Sequence, residues 1–385
     1  MLGFLLFFDT LAFAPYVIAF VIALWAFATR KNEIEYVASN NLTYIHLFGA
    51  FLVLCTINCF FHGANGIPNM YMQVFMLIVA FALSHKDAKV FIALTCFECL
   101  IGVVEYYFGV SSFFESDPEF FEDEELLYFK RVNGLSGNSS TLSEKVLISS
   151  LLLYNIRNLL EKKEVIIMFS ILLVGYFVTF NRTAIITFLM FAGYIFLQKY
   201  KDQIKRQYAL GVISIAILIS FVIIFWENFG ELIILQFSRG DTDSLLTGRP
   251  LIWSMFGQFI SENLFFGNGS VHLLVPYYSG PIHAHNSFIQ VLADNGLFLA
   301  LLYLINVFIK INKRNCLYLF PFIVLSLTQY SLFWGFSVED VFFFAFLCNP
   351  DFVLDENEYD EDYDELYDFE DEEGKELSEV RCSAV

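Results

Sequence analysis

The chain has 385 residues, of which 57% are hydrophobic and only 16% are charged, and its formal net charge is −19 at pH 7. A soluble domain is closer to half apolar and a quarter charged, so this composition argues against a soluble globular protein. Most of the negative charge is local, because residues 351–385 hold 16 acidic and two basic residues, which gives −14 and leaves −5 for residues 1–350.

The apolar residues fall in runs of about 20, the length at which an α-helix crosses a hydrocarbon core of about 30 Å. These runs lack the alternation of a membrane β-barrel. The sequence therefore predicts an all-α, polytopic helical membrane protein with about eleven transmembrane helices. In chain order, the predicted spans are 4–28, 43–61, 69–84, 88–109, 139–160, 164–181, 183–200, 208–227, 286–309, 315–333 and 337–350.

Residues 228–285 are too polar and too rich in Gly and Pro for another span, and they form one large loop. Long loops of this kind tend to carry function. We expect residues 1–350 to be one transmembrane domain that includes this loop. Residues 351–385 are expected to be an acidic, solvated and disordered tail.

The positions of Lys and Arg orient the chain, because cytoplasmic connections carry an excess of both. The basic residues cluster in alternate connections, namely Arg30 and Lys31, Lys86 and Lys89, Arg157, Lys162 and Lys163, Lys199, Lys201, Lys205 and Arg206, and Lys310, Lys313 and Arg314. We expect these connections to be cytoplasmic. The N-terminus and the large loop are then outside, the acidic tail is inside, and the protein is a multi-pass protein of the cytoplasmic (inner) membrane.

A few basic residues are left on the outer side, where the positive-inside rule disfavours them. They are Lys130, Arg131, Lys145, Arg182, Arg239 and Arg249. Pairing with the acidic residues around 122–125 is one explanation. For Arg131, Arg182 and Arg249, a functional role is the other.

Arg131 belongs to a first polar cluster, which continues through Gly134 and Gly137 to Asn138. The glycines allow a tight turn, and Asn138, Ser139, Ser140 or Thr141 would cap the following helix. An Arg beside a helix N-terminus suits an anion. An ordinary capped helix start is the simpler interpretation.

A second cluster is Asn181-Arg182-Thr183, between two apolar runs so close together that the turn lies at the membrane surface or below it. An Arg near hydrocarbon is a functional hypothesis by default. The alternative is that its side chain extends to the lipid headgroups.

The third cluster lies in the large loop, where Arg249 and Trp253 open an amphipathic segment over 251–263. The spacing predicts a helix on the outer surface, which Gly267 and Gly269 end. Two histidines, His283 and His285, follow before the ninth span. They could be a metal pair, but no third ligand has useful spacing, so we expect no metal and no other cofactor.

On the ninth span Asn286, Gln290 and Asp294 recur every four residues and share one face. Asp294 lies about 13 Å deeper than His285 along a helix, so its carboxyl is expected to face protein rather than lipid. A polar seam between two helices is the structural alternative to substrate binding.

Three arginines and a histidine at one membrane surface indicate phosphate chemistry. Arginine binds phosphate oxygens with two parallel hydrogen bonds, and histidine accepts a proton near neutral pH. The residues therefore favour a lipid-linked phosphate leaving group and a hydroxyl that is activated.

At this point the chain resembles the O-antigen ligase and polymerase family. The motifs are Arg131-x-x-Gly134 with Asn138, then Asn181-Arg182-Thr183-Ala184, then Thr247-Gly248-Arg249 with Trp253 and Gly267-x-Gly269, and finally the segment from His285-Asn286 to Asp294-Asn-Gly296. They occur in this order over about 130–300. Asn181 stands where the family often has Ser, Asp294 where Glu is common, and Ala300 where Gly is frequent.

The resemblance implies a metal-independent membrane glycosyltransferase with a GT-C-like fold that uses undecaprenyl-diphosphate-linked oligosaccharides. By motif position, Arg182 and Arg249 would bind the donor diphosphate and His285 would act on the acceptor hydroxyl. Arg131, Asn138, Trp253, Asn286 and Asp294 would contact substrate. Membrane lipids, a chain-length regulator and a flippase would be partners, and nucleic acid would not.

A polymerase that joins repeat units into a surface polysaccharide is the first interpretation, and a ligase that moves the glycan to lipid A core or another acceptor is the second. The two use the same donor, so the residues do not separate them. A solute transporter is a third, because transporters bind solutes at broken helices near the midplane. The sequence has no repeat of that kind, and its polar residues cluster outside.

Overall fold

The computed structural model describes residues 2–7, 15–63, 66, 69–108, 131–206, 249–277, 280–329, 332 and 337–354. The predicted span 208–227, the first part of the large loop and the tail beyond residue 354 lie outside these residues. Met1–Phe352 forms one compact unit.

The first nine helices precede the undescribed residues 207–248. They are α1 (Leu2–Phe7), α2 (Pro15–Thr29), α3 (Lys31–Ser39), α4 (Leu42–Phe61), α5 (Met72–Ala82), α6 (His85–Phe108), α7 (Ser139–Ile156), α8 (Lys162–Thr179) and α9 (Arg182–Arg206). After them come α10 (Arg249–Glu262), the strands β1 (Val275–Tyr277) and β2 (Gly280–Ile282), α11 (Ser287–Phe308), α12 (Cys316–Ser326) and α13 (Val338–Cys348). Short 3₁₀ turns lie at Asn69–Tyr71, Arg157–Leu159 and Pro350–Phe352.

Three helices within the described ranges are both long and apolar enough to cross a membrane: Leu42–Phe61, Arg182–Tyr200 and Ser287–Phe308. Shorter apolar helices cover Ala19–Thr29, Met72–Ala82 and Cys316–Ser326. This supports the predicted helical membrane protein. The number of eleven spans stays a prediction.

The start of the chain differs from the prediction. The single span 4–28 is replaced by α1 and α2, and Pro15 stands at the first position of α2, where proline is favoured. The predicted basic connection after it folds as α3. That helix is amphipathic, because Ile34 and Val37 are buried while most of its other residues are exposed.

The centre of the packing is α6, α7 and α8, which contact one another, while α5 contacts both α2 and α13. Gly102 and Gly175 lie at these contacts, since a Cβ at either would meet a neighbouring Val or Cys side chain. All 11 residues of α13 are buried. At about 16 Å, this helix is shorter than the hydrocarbon core, so it is a central buried helix rather than a full span.

The ninth predicted span is interrupted. Gly296 in α11 has φ 75° and ψ 173°, outside the helical region, so the helix breaks there. The prediction of one continuous helix over 286–309 is therefore wrong. The carbonyl oxygens of Ala293 and Asp294 accept hydrogen bonds from the backbone of Asn268 and Ser270, at 2.7–3.1 Å.

The described part of the large loop is folded onto α11. Strands β1 and β2 pair antiparallel, with Val275 opposite Ile282, so the protein is not purely α-helical. The helix predicted over 251–263 is α10, but its apolar face packs on protein. Ile252 and Phe256 are buried in one cluster with Val275, Ala284 and Ala293. The loop is thus a small layer held against the broken helix.

Candidate functional site

The first predicted cluster forms the expected tight turn, in which Gly134 has φ 59°. The backbone N–H of Gly134 donates to Glu105 Oε2 at 2.9 Å, and that of Leu135 donates to Glu98 Oε1 at 3.0 Å. The Ser136 hydroxyl also donates to Glu98, at 2.7 Å. These N–H groups bind carboxylates of the protein itself, so the turn is not the anion site that the sequence suggested.

Lys145 is one of the basic residues that the charge pattern left on the outer side. Its ammonium lies 3.2 Å from Glu98 Oε2, and both side chains are buried. Removing one partner of a buried ion pair costs about 3–5 kcal/mol. Lys145 therefore has a structural explanation.

Asn138 caps α7, as one of the four alternatives predicted. Its side-chain oxygen accepts a hydrogen bond from the backbone N–H of Thr141 at 2.8 Å. This is the ordinary capped start. A substrate contact by Asn138 stays a prediction.

The second cluster is a turn between two helices. Phe180 is left-handed, with φ 39°, and closes α8 by donating its N–H to Tyr176. Asn181 Oδ1 accepts hydrogen bonds from the N–H groups of Thr183 at 3.1 Å and Ala184 at 3.2 Å, and so caps α9. Arg182 is the first residue of α9 and is half-buried. An arginine at a helix N-terminus adds its charge to the positive end of the helix dipole.

The structure brings the first two clusters together. The backbone N–H of Val132 donates to the carbonyl of Val178 at 3.1 Å. Arg131 is adjacent to one end of this bond, and the Asn181–Arg182 turn follows the other. Arg131 and Arg182 therefore belong to one region.

The third cluster is built around Ala284, which is fully buried between His283 and His285. The indole N–H of Trp253 donates to the Ala284 carbonyl at 2.8 Å, and the Ala284 N–H donates to Gln290 Oε1 at 2.8 Å. His285 has φ 48°, in the left-handed region. Arg249 is the first residue of α10, one turn of helix before Trp253. The cluster thus joins the start of α10 to the histidines.

Asn286 is the N-cap of α11. Its side-chain oxygen accepts from the N–H groups of Phe288 and Ile289, both at 3.0 Å. Its amide donates to the Leu327 carbonyl at 2.8 Å. The described contacts of Asn286 are structural, and its predicted substrate contact stays a prediction.

The predicted stripe on α11 exists. Gln290 Nε2 donates to Asp294 Oδ1 at 2.8 Å, and Asp294 also accepts from the Leu273 N–H at 2.8 Å and lies 3.1 Å from His272 Nδ1. Asp294 is 2% exposed. This geometry favours the polar seam over substrate binding for Asp294, although the seam joins the helix to the loop rather than to a second helix.

His272 was not predicted as part of the site. It joins His283 and His285, whose ring centroids are 4.2 Å apart. Burial, followed by the neighbouring His285 and His272, lowers the pKa of His283 to about 3. Within the described ranges, no three His, Cys, Asp or Glu side chains are arranged as metal ligands. The only local signal for His272 was its position just after the Gly267-x-Gly269 turn.

The contacts of the described residues form two groups, one around Asn181 and one around Ala284. Arg131 and Arg182 belong to the first group. Arg249, Trp253 and His285 belong to the second. Joining the two groups in one site is part of the proposal below.

The family comparison covers both groups. Residues 167–304, which are 138 of the 385 residues, match the family model described as O-antigen ligase. The match begins within α8 and ends within α11, so it includes Arg182, Arg249 and His285, whereas Arg131 and Asn138 precede it. A comparison with curated proteins finds no match.

Proposed function

Since residues 167–304 assign the chain to the O-antigen ligase family, we propose that it is a membrane glycosyltransferase that polymerises undecaprenyl-diphosphate-linked oligosaccharide repeat units. The product is a surface polysaccharide, assembled at the outer face of the cytoplasmic membrane. A flippase would supply the donor, and a chain-length regulator would act with the polymerase.

In the proposed reaction, Arg182 and Arg249 bind the donor diphosphate, with Arg131 assisting. The acceptor hydroxyl attacks the anomeric carbon while His285 takes its proton. A new glycosidic C–O bond forms, the bond from the anomeric carbon to the diphosphate oxygen breaks, and undecaprenyl diphosphate leaves. The arginines stabilise the charge on this leaving group, which is the main catalytic need of the step.

The observation that carries the proposal is the position of Arg182. It opens a helix long and apolar enough to cross the membrane, directly after a capping Asn, and the segment of Arg131 is bonded to the same region. Fixed positive charge at the end of a membrane helix suits a lipid-linked diphosphate, whose charged part lies at the membrane surface.

Complementation of a deletion strain tests the mechanism. We expect Arg249→Ala to abolish long-chain polymer while the protein still inserts in the membrane. Arg249→Lys should retain only part of the activity, because lysine keeps the charge but not the paired hydrogen bonds. The readout is the chain-length pattern of surface glycan, normalised to the amount of protein in the membrane.

Arg314→Ala is the matched control, because it removes an exposed Arg from the side predicted to be cytoplasmic. It should leave the pattern unchanged. Full-length polymer from Arg249→Ala would remove the proposed mechanism.

A ligase is the second candidate, because the matching family carries that description. Purified protein separates the two activities. Elongation of the lipid-linked donor with no other acceptor indicates a polymerase. Transfer that requires added lipid A core or another acceptor indicates a ligase.

A further inference from the structure

The backbone around His285 is held from two sides. Its φ of 48° is a conformation that residues other than glycine rarely adopt, so it persists only where the surroundings impose it. The preceding residue, Ala284, donates its N–H to Gln290 and accepts a bond from Trp253. The following residue, Asn286, is fixed as the cap of α11. His285 therefore lies between two anchored peptide units.

Gln290 is the centre of these anchors. Its Oε1 accepts from Ala284, and its Nε2 lies 2.8 Å from both the Leu273 carbonyl and Asp294 Oδ1. It is fully buried. Its amide thus spans from the histidine turn to the loop segment that follows Gly269, and Asp294 fixes the orientation of that amide.

We propose that Gln290 is a positioning residue that holds His285 in its left-handed conformation through Ala284, with Trp253 supporting the same peptide unit from α10. Asp294 acts through Gln290 and does not touch the acceptor. This inference rests on the proposed function, because it assumes that His285 acts on the acceptor hydroxyl. It adds a role for Gln290, and it replaces a substrate contact as the role of Asp294.

Three variants test the role of Gln290. Gln290→Leu removes both the acceptor and the donors, and we expect kcat to fall by about 10²-fold, the effect of a small misplacement of a catalytic group. The acceptor KM should change little. Gln290→Glu keeps the shape. When the introduced carboxyl is ionised it donates no hydrogen bond and faces Asp294, so activity should fall as the pH rises, with a profile that the wild type does not show.

Gln258→Glu is the control, because Gln258 is an exposed residue of α10. Its pH profile should match that of the wild type. Trp253→Phe keeps an aromatic ring and removes the N–H donor. It should lower kcat, whereas loss of a sugar-stacking surface would instead raise KM.

A double-mutant comparison separates positioning from general damage. If Gln290 acts through His285, the double variant His285→Ala with Gln290→Leu should have the residual activity of His285→Ala alone, within about 2-fold. A much lower value, or wild-type kcat for Gln290→Leu, overturns the inference. Full activity of His285→Ala would instead overturn the role given to His285 in the proposed function, so the two failures are distinct.

Discussion

His283 and His285 are two residues apart in the chain and differ in their environment. Burial beside two other histidines keeps His283 neutral at physiological pH, so it cannot bind a diphosphate by charge. His285 is fixed by its backbone, and the proposed reaction assigns the proton transfer to it. The pair therefore divides into one structural and one reactive residue.

The low pKa of His283 has a consequence for stability. Below about pH 6.5 the histidine takes up a proton in the unfolded chain, but in the folded protein it stays neutral down to about pH 3. The unfolded state then binds more protons, so stability should fall as the pH decreases below 6.5. Allowing for partial exposure, we expect His283→Gln to remove about 1 kcal/mol of the loss between pH 7.5 and pH 5.

Thermal unfolding of the detergent-solubilised protein at the two pH values measures this effect. His46→Gln alters an exposed histidine of α4 and should keep the pH dependence of the wild type. Equal pH dependence in His283→Gln and the wild type would contradict the assigned pKa.

At the scale of single elements, the break in α11 depends on two glycines in close contact. A Cβ on Gly296 would lie 2.3 Å from the Phe265 carbonyl oxygen, and a Cβ on Gly267 would lie 2.4 Å from the Ala293 carbonyl oxygen. Both glycines have positive φ, at 75° and 59°. The loop backbone therefore reaches the helix backbone directly, and the Leu297 N–H donates to the Leu264 carbonyl at 2.8 Å.

Gly296→Ala should destabilise the protein by at least about 2 kcal/mol, from the left-handed conformation and the steric overlap together. The expected result is a lower melting temperature and a loss of polymer. Gly193→Ala is the matched control, because a Cβ at that position of α9 meets no atom within 4 Å. It should be neutral or slightly stabilising. Similar melting temperatures for the two variants would contradict the close contact.

Local signals were enough to predict most of the helices and several of their ends. The capping role of Asn138 was among the alternatives, because a cap bonds a residue two or three positions away. The break at Gly296 could not be predicted in this way. A glycine within an apolar run is compatible with a continuous helix, and only the loop, some 30 residues earlier, supplies the donors that replace the lost helix bonds.

The same distinction applies to the site. Arg182, Arg249 and His285 were found because they are unusual for their place in the chain, either basic on the wrong side or polar at a span boundary. His272 and Glu98 were not assigned their partners, because Asp294 is 22 residues from the first and Lys145 is 47 residues from the second. Contacts at such separations depend on the tertiary packing.

For the whole molecule, the orientation derived from Lys and Arg is still a prediction. We expect an impermeant maleimide to label Gln258→Cys in intact cells but Lys162→Cys only after the membrane is opened. Both positions are exposed, and they lie in the large loop and in a predicted cytoplasmic connection. The background is a variant with Cys59, Cys316 and Cys382 replaced by Ser. The reverse labelling pattern would invert the topology and place the arginines on the cytoplasmic side.

The contact between Gly267 and Gly296 also bears on how such a protein can be re-engineered. Because main-chain atoms make the joint, it imposes little demand on the side chains elsewhere in the loop. A related loop that keeps the glycine turn could be transplanted onto the same broken helix as a cassette. The glycan preference of a chimera could then be altered through the outer layer while the helical scaffold stays as it is.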